Sequence, residues 1–177
     1  MTRASVPLTG VLLVGGASSR FGSPKALALF RGETLAERGH RLLAEVCDEV
    51  IVVGKARELA GLPFTVVDDG TEERAPIHGL VAGLRHAAHE TVVALPVDVP
   101  LITPDALRAL GEAGAVPSAR VPLPGAYPRS LLPVLESRIA TGDLSLRGVN
   151  TTTFEIPAAL LVDADTPAAL AGLERLA

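Results

Sequence analysis

The sequence predicts an α/β fold built on a mainly parallel sheet. Short, uniformly apolar runs alternate with stretches of helical period along most of the chain. The runs lack the apolar–polar alternation of a half-exposed strand, as expected of strands covered on both faces. Glycine, aspartate or proline ends each run, so the links are short. Strand, helix, strand in that order is how parallel sheets are connected.

The first run, residues 11–14, is Val-Leu-Leu-Val and stops at Gly15 and Gly16. Thr34 followed by Glu37 forms a capping box, and Leu35, Leu42, Leu43 and Val46 then fall on one helical face. Residues 50–53 read as the second strand, ending at Gly54, and residues 64–67 as the third, ending at Asp68 and Asp69. A helix is expected over about 79–88, burying Leu80, Val81 and Leu84, and a fourth strand over 91–95, ending at Pro96. Thr103 and Pro104 give a cap followed by proline at the first helical position, and Thr166 with Pro167 repeats the signal. Residues 111–128 are richer in glycine and proline and predict strands and turns, with a helix over about 129–139.

Composition narrows the class. At 177 residues the chain is expected to form one domain, residues 1–177, large enough for a real core. Hydrophobic residues at 48% and charged residues at 20% exclude a disordered chain. A net charge of −4 argues against nonspecific nucleic-acid binding, and an aromatic content of 3% against base stacking. No apolar run approaches membrane-spanning length, and MTRASVPLTG is no signal peptide. Cys47 is the single cysteine, so it cannot close an intramolecular disulfide, and Val46 and Val50 beside it suggest a buried thiol. A soluble protein of the cytoplasm is the expectation.

In an open parallel sheet, ligands bind beyond the carboxyl ends of the strands. After the first strand, Gly15, Gly16 and Gly22 are interleaved with Ser18, Ser19 and Ser23, and with Arg20 and Lys25. Small residues let backbone N–H groups converge on an anion, Arg20 can grip two oxygens, and Lys25 acts as a point charge. The glycine spacing fits neither G-x-G-x-x-G nor a Walker A loop, which lowers nicotinamide oxidoreductases and P-loop ATPases.

Asp98 follows the fourth strand between Pro96 and Pro100 and is placed as a hard oxygen ligand for Mg²⁺, or as a turn aspartate. Asp68 and Asp69 are the next candidates, with an exposed acidic turn as the alternative for either. His78 is expected in a loop, partly exposed, and His40, His86 and His89 at the surface or boundary without metal-ligand companions. No Ser-His-Asp or Cys-His constellation is found.

Residues 12–35, LLVGGASSRFGSPKALALFRGETL, resemble the signature of the MobA-like nucleotidyltransferases, L-A-G-G-x-S-x-R-M-G-x-x-K-A-L. Leu13, Gly15, Gly16, Ser18, Arg20, Gly22, Lys25, Ala26 and Leu27 match; Val14 and Phe21 replace alanine and methionine. The resemblance continues at Pro96-Val97-Asp98-Val99-Pro100, through residues 127–146, and at Asp165-Thr166-Pro167.

It implies a Rossmann-like three-layer α/β/α nucleotidyltransferase fold and transfer of a nucleoside monophosphate from an NTP with Mg²⁺, releasing pyrophosphate. The pattern is nearest to members that join GMP from GTP to molybdopterin, with a cofactor insertase as the protein that holds the acceptor. By resemblance, Leu13, Val14, Gly15, Gly16 and Ser18 hold the nucleotide, and Lys25 contacts phosphate. Asp98 binds the metal, Arg20 joins Lys25 and Asp98 in catalysis, and Asp68 or Asp69 contributes to the nucleotide site.

Ala75-Pro76-Ile77-His78-Gly79 departs from the G-P-L-A-G of guanylyl-transferring members, and Gly54 stands where a polar nucleotide contact is frequent. A CTP-dependent sister enzyme, a sugar or lipid-precursor nucleotidyltransferase, and a nucleotide-binding protein without turnover are the alternatives. The acceptor is expected beside the Gly/Pro-rich stretch and the segment around Tyr127, Arg129 and Ser130.

Overall fold

The computed structural model describes residues 6–15 and 21–176. The central sheet has the order β5-β4-β1-β6-β7, formed by β1 (Leu8–Leu13), β4 (Glu49–Gly54), β5 (Val66–Asp68), β6 (Thr91–Pro96) and β7 (Gly125–Pro128). β1 pairs in parallel with both β4 and β6, Leu12 lying opposite Val52 and Leu95. Only β7 runs antiparallel, against β6. A two-stranded ribbon, β2 (Leu29–Phe30) with β3 (Glu33–Thr34), leads into α1 (Leu35–Ala44). The remaining helices are α2 (Pro76–His86), α3 (Pro104–Ala113), α4 (Leu132–Ala140) and α5 (Pro167–Leu176).

Two hydrophobic clusters make three layers. Alternate β1 residues point to opposite faces, so Leu8 and Leu12 join Leu35 and Leu43 of α1, Leu107 and Leu110 of α3 and Leu170 of α5. Val11 and Leu13 face the other way, toward Leu80 and Leu84 of α2 and Leu135 of α4. Helix α2 can lie this close because residue 83 is glycine. A Cβ there would stand 2.6 Å from the Val11 methyls. The expected α/β class with a mainly parallel sheet is therefore present, with all four parallel strands ending on one edge.

The caps behave as the sequence predicts. Thr34 accepts from the Glu37 amide at 3.1 Å while Glu37 accepts from the Thr34 amide at 2.9 Å, and the Thr103 and Thr166 hydroxyls each accept one amide, of Ala106 and Ala169, at the starts of α3 and α5. Strand β1 starts earlier than expected, at Leu8, because Thr9 is satisfied inside the sheet. Its hydroxyl donates to Glu49 Oε2 at 2.8 Å and stands 3.0 Å from His89 Nδ1. Strand β5 is shorter than residues 64–67 and displaced, since Phe64 leaves the sheet to stack on His40 at 4.8 Å. Residues 129–131 form a 3₁₀ turn before α4 rather than its first turn.

Two site expectations change. Helix α2 begins at Pro76, not near residue 79, because proline is suited to the first helical position. His78 therefore lies in the first turn of a helix, only 8% exposed, with Nε2 2.9 Å from Glu73 Oε2, and is not a loop imidazole.

The second correction concerns the expected acceptor segment. Tyr127 is fully buried and its hydroxyl donates to the Pro122 carbonyl at 2.7 Å. Pro128 pairs with Thr91, the first residue of β6, and the Arg129 amide donates to the Glu90 carbonyl. Because β7 is antiparallel, Arg129 and Ser130 follow it at the edge where the parallel strands begin. At about 3.3 Å per residue, β6 separates that edge from Pro96 by roughly 17 Å.

Candidate active site

The site grows from the carboxyl ends of β1, β4 and β6. Beyond β1, the Val14 amide donates to the Val53 carbonyl at 2.9 Å, so the chain hugs β4 for one more residue. Gly15 then passes against Gly54. A Cβ on Gly54 would lie 2.9 Å from the Gly15 nitrogen and 2.8 Å from a Val14 methyl, so this position has no room for a side chain.

After Pro96 the Val97 amide donates to the Leu13 carbonyl, which delivers Asp98 beside the start of the glycine-rich loop. The Ala164 amide donates to the Asp98 carbonyl at 2.7 Å and so brings Asp165 to the same place.

Lys25 meets them from the other side. It opens a 3₁₀ turn, Lys25–Leu27, anchored by the fully buried Ala26. Its Nζ is 3.3 Å from Asp98 Oδ2, 3.0 Å from Asp165 Oδ1 and 5.6 Å from the centroid of the Phe21 ring. Burial pushes the Asp98 carboxyl above the ordinary range, Lys25 offsets part of that rise, and Asp165 and Asp163 add to it.

A cavity of about 230 Å³ opens here. Lys25, Asp98 and Asp165 line it together with Leu13, Val14 and Gly15 and with Arg74, Ala75 and Pro76.

Of the two acidic candidates after β5, Asp68 is exposed and serves the turn. It accepts from the amides of Gly70 at 2.9 Å and Ala56 at 3.3 Å, and the Gly70 bond is the main reason its carboxyl lies below the ordinary range. Asp69 is the inward one. Its side chain is 7% exposed, and Oδ1 accepts from Lys55 Nζ at 2.7 Å. Its Oδ2 lies 4.0 Å from where a Cβ on Gly15 would stand. Asp69 lines a small cleft with Leu13, Gly15, Gly54, Ala75 and Pro76 that adjoins the main cavity.

Gly16, Ser18 and Arg20 lie outside the described residues. The structure thus brings together Leu13, Val14, Gly15, Lys25, Asp98 and Asp69, and leaves Asp68 on the far side of its turn.

The residues fit a hard divalent cation. Carboxylate oxygens of Asp98 and Asp165 converge on one ammonium, so the pair can share a positive charge. Among the described residues no group of three or more His, Cys, Asp or Glu side chains could hold a metal. The two carboxylates of Asp98 and Asp165 are enough for a hard divalent cation of the Mg²⁺ kind, whose other positions are filled by water and substrate phosphate.

Sequence reasoning missed Asp165, Arg74 and Lys55 as parts of the site. Asp165 carried a signal, an acid just before a helix-start dipeptide. Lys55 carried another, a lysine directly after an apolar strand. Arg74 carried none, because the wall it belongs to depends on where α2 begins. Cys47 is half-buried, and burial pushes its thiol up to about 12.

Comparison with known proteins gives the family. The family described as the MobA-like NTP transferase domain matches residues 10–155. A protein of Aquifex aeolicus described as a "probable molybdenum cofactor guanylyltransferase" is 35% identical over 160 residues, covering 84% of this chain and 80% of its own. One from Flavobacterium johnsoniae with the same description is 30% identical over 148 residues, covering 78% of each. The crystal structure of an Aquifex aeolicus protein superposes with a TM-score of 0.74 at 32% identity, covering 93% of this chain and 96% of that one.

Proposed function

The chain belongs to the MobA-like NTP transferase family, and on that premise we propose that this nucleotidyltransferase moves GMP from GTP to molybdopterin and releases pyrophosphate. The observation that carries this proposal is the meeting of Lys25 with Asp98 and Asp165 at the mouth of the glycine-rich loop. An ammonium and a carboxylate pair in one cavity are what a metal–triphosphate complex requires, the ammonium for phosphate oxygens and the carboxylates for the metal.

In the proposed reaction a phosphate oxygen of the acceptor forms a bond to the α-phosphorus of GTP, and the bond to the bridging oxygen breaks. The electron pair leaves with pyrophosphate. A phosphate monoester has a second pKa of about 6, so the acceptor is already mostly dianionic at neutral pH and needs no general base. The difficulty is to bring two polyanions together, and the protein's contribution is position and charge.

Leu13, Val14 and Gly15 line the nucleotide's place and Asp69 contributes from the adjoining cleft, Lys25 binds phosphate oxygens, and the resemblance assigns Gly16 and Ser18 to the nucleotide and Arg20 to catalysis beside Lys25. Asp98, with Asp165 beside it, would hold Mg²⁺, which when bound neutralises charge building on the leaving pyrophosphate. We place the reaction in the cytoplasm, with the acceptor presented by a cofactor insertase. No described helix is long and apolar enough to cross a membrane.

The departure at residues 75–78 bears on base choice. His78 turns to Glu73, and the wall facing the cavity is Ala75 and Pro76, so no imidazole stands in the way of a purine. The test is transfer of label from α-³²P GTP to molybdopterin on its insertase, with CTP in parallel. Guanylylated product with GTP is the expected result. Preferential transfer from CTP would reassign the base, and binding of GTP without pyrophosphate release would remove the activity.

A further inference from the structure

Arg74 stands outside the sequence pattern that points to nucleotide transfer, yet it forms part of the same cavity wall. The loop that carries it is fixed from behind. Lys55 is 8% exposed, and its ammonium donates to Asp69 Oδ1 at 2.7 Å, to the Thr71 carbonyl, and to the Glu73 carbonyl at 3.1 Å. An ammonium has three donors, and these acceptors match them. Ahead of Arg74, Pro76 starts α2 with its fixed backbone angle. The backbone at residue 74 is therefore held between a buried ion pair and a helix start, at the cavity that Lys25 and Asp98 also line.

The guanidinium itself is open to solvent, and Glu58 is one of its partners. Nη1 is 3.3 Å from Glu58 Oε2, and Nη2 bonds the other carboxylate oxygen, with side-chain exposures of 39% and 43%. An ion pair this open to water holds its partners loosely. Phosphate, doubly charged and matched to the planar fork of arginine, is a stronger acceptor than a solvated glutamate.

We propose that Arg74 binds a phosphate of the bound nucleoside triphosphate, and that Glu58 is the resting partner it leaves when the nucleotide enters. This inference rests on the reading of the cavity as an NTP site. Arg74 and Lys25, which line one cavity, then both contribute positive charge to the phosphates. The start of α2, which has no side-chain cap and no acidic residue in its first turn, adds potential of the same sign.

The test is calorimetric titration of Mg·GTP into the wild-type protein and into Arg74→Ala, Arg74→Lys and Glu58→Ala. Arg74→Ala should weaken binding tenfold or more, Arg74→Lys should recover part of the loss, and Glu58→Ala should bind as well as wild type or better. Because both residues are exposed, melting temperatures within a few degrees of wild type confirm that the fold is intact. Titration with GDP and GMP assigns the phosphate, since the penalty vanishes with the ligand that lacks it.

Equal weakening by Arg74→Ala and Glu58→Ala would overturn the proposal, because it would mean the ion pair only props the loop. Unchanged binding by Arg74→Ala would overturn it too. If wild type binds GTP and Arg74→Ala matches it, this inference alone falls. If wild type binds no NTP, the reading beneath it falls as well.

Discussion

Two lysines stand near the carboxyl ends of the strands on either side of β1, each paired with aspartate, and they do opposite work. Lys55 follows β4 directly and is closed in by Asp69, whose side chain is 7% exposed, and by two backbone carbonyls. Lys25 reaches the end of β6 and meets Asp98 and Asp165, whose side chains are 30% and 56% exposed, at a cavity. The first pair is held by acceptors that all belong to the fold, a buried carboxylate and two backbone carbonyls. The second lies where a metal ion and phosphates can exchange for its members. The difference between a structural and a working lysine is therefore made by what surrounds the ammonium, not by its place after a strand.

Substitutions can break that contrast, and the largest effect is expected at the exchangeable pair. Lys25→Ala or Asp98→Asn should each lower pyrophosphate release by roughly 10²–10³-fold, in line with the loss of one transition-state charge partner. Neither should unfold the protein. Asp98 carries a raised carboxyl pKa, so the folded state holds its proton longer than the unfolded chain does. Its charge therefore costs stability as pH rises from the ordinary carboxylate range through the raised value. Asp98→Asn should melt at or above the wild-type temperature at pH 7 and lose that advantage near pH 4. Wild-type turnover in either variant would erase the distinction.

At the closed pair the sign reverses. Lys55→Met leaves a buried carboxylate unpaired and should cost about 3–5 kcal/mol in urea denaturation. Adding Asp69→Asn should recover much of that loss, because the orphaned charge is removed. A Lys55→Met protein as stable as wild type would show that the clamp is decorative.

Gly54→Ala tests the close approach between the two regions. Its Cβ would meet the Gly15 nitrogen and a Val14 methyl, and overpacking of this kind typically costs about 1–3 kcal/mol. Reduced affinity for GTP should accompany the lower melting temperature. The smallest effect belongs to Tyr127→Phe, which removes one buried hydrogen bond to Pro122 and should cost about 1 kcal/mol. Turnover should be unchanged, since Tyr127 is buried and its strand leads away from the cavity. Altered affinity for the acceptor in that variant would bring the β7 region back into the site.

Much of the fold was legible locally. The apolar runs, the Thr34–Glu37 box and the Thr-Pro starts of α3 and α5 are short-range signals, and each has its counterpart in the structure. Misplacements came where a distant partner overrides the local pattern. Thr9 looks like a strand boundary until Glu49 and His89 satisfy it, and Phe64 looks like strand until His40 draws it away.

The candidate site divides in the same way. Leu13, Gly15, Lys25 and Asp98 lie in motifs readable from the chain. The choice between Asp68 and Asp69 needed Lys55, and Asp165 reaches Lys25 across 140 positions of sequence. Tyr127 was misjudged because an antiparallel last strand sends its following residues to the opposite edge of the sheet.

The central claim is that Asp98 helps hold a divalent ion against the triphosphate of a nucleotide contacted by Lys25. Electron paramagnetic resonance of Mn²⁺ titrated with GTP, used in place of Mg²⁺, tests it most directly in the wild type and in Asp98→Asn. A protein-bound Mn·GTP signal in wild type that disappears in Asp98→Asn is the predicted result. The same signal, at the same Mn²⁺ affinity, in both proteins would contradict it.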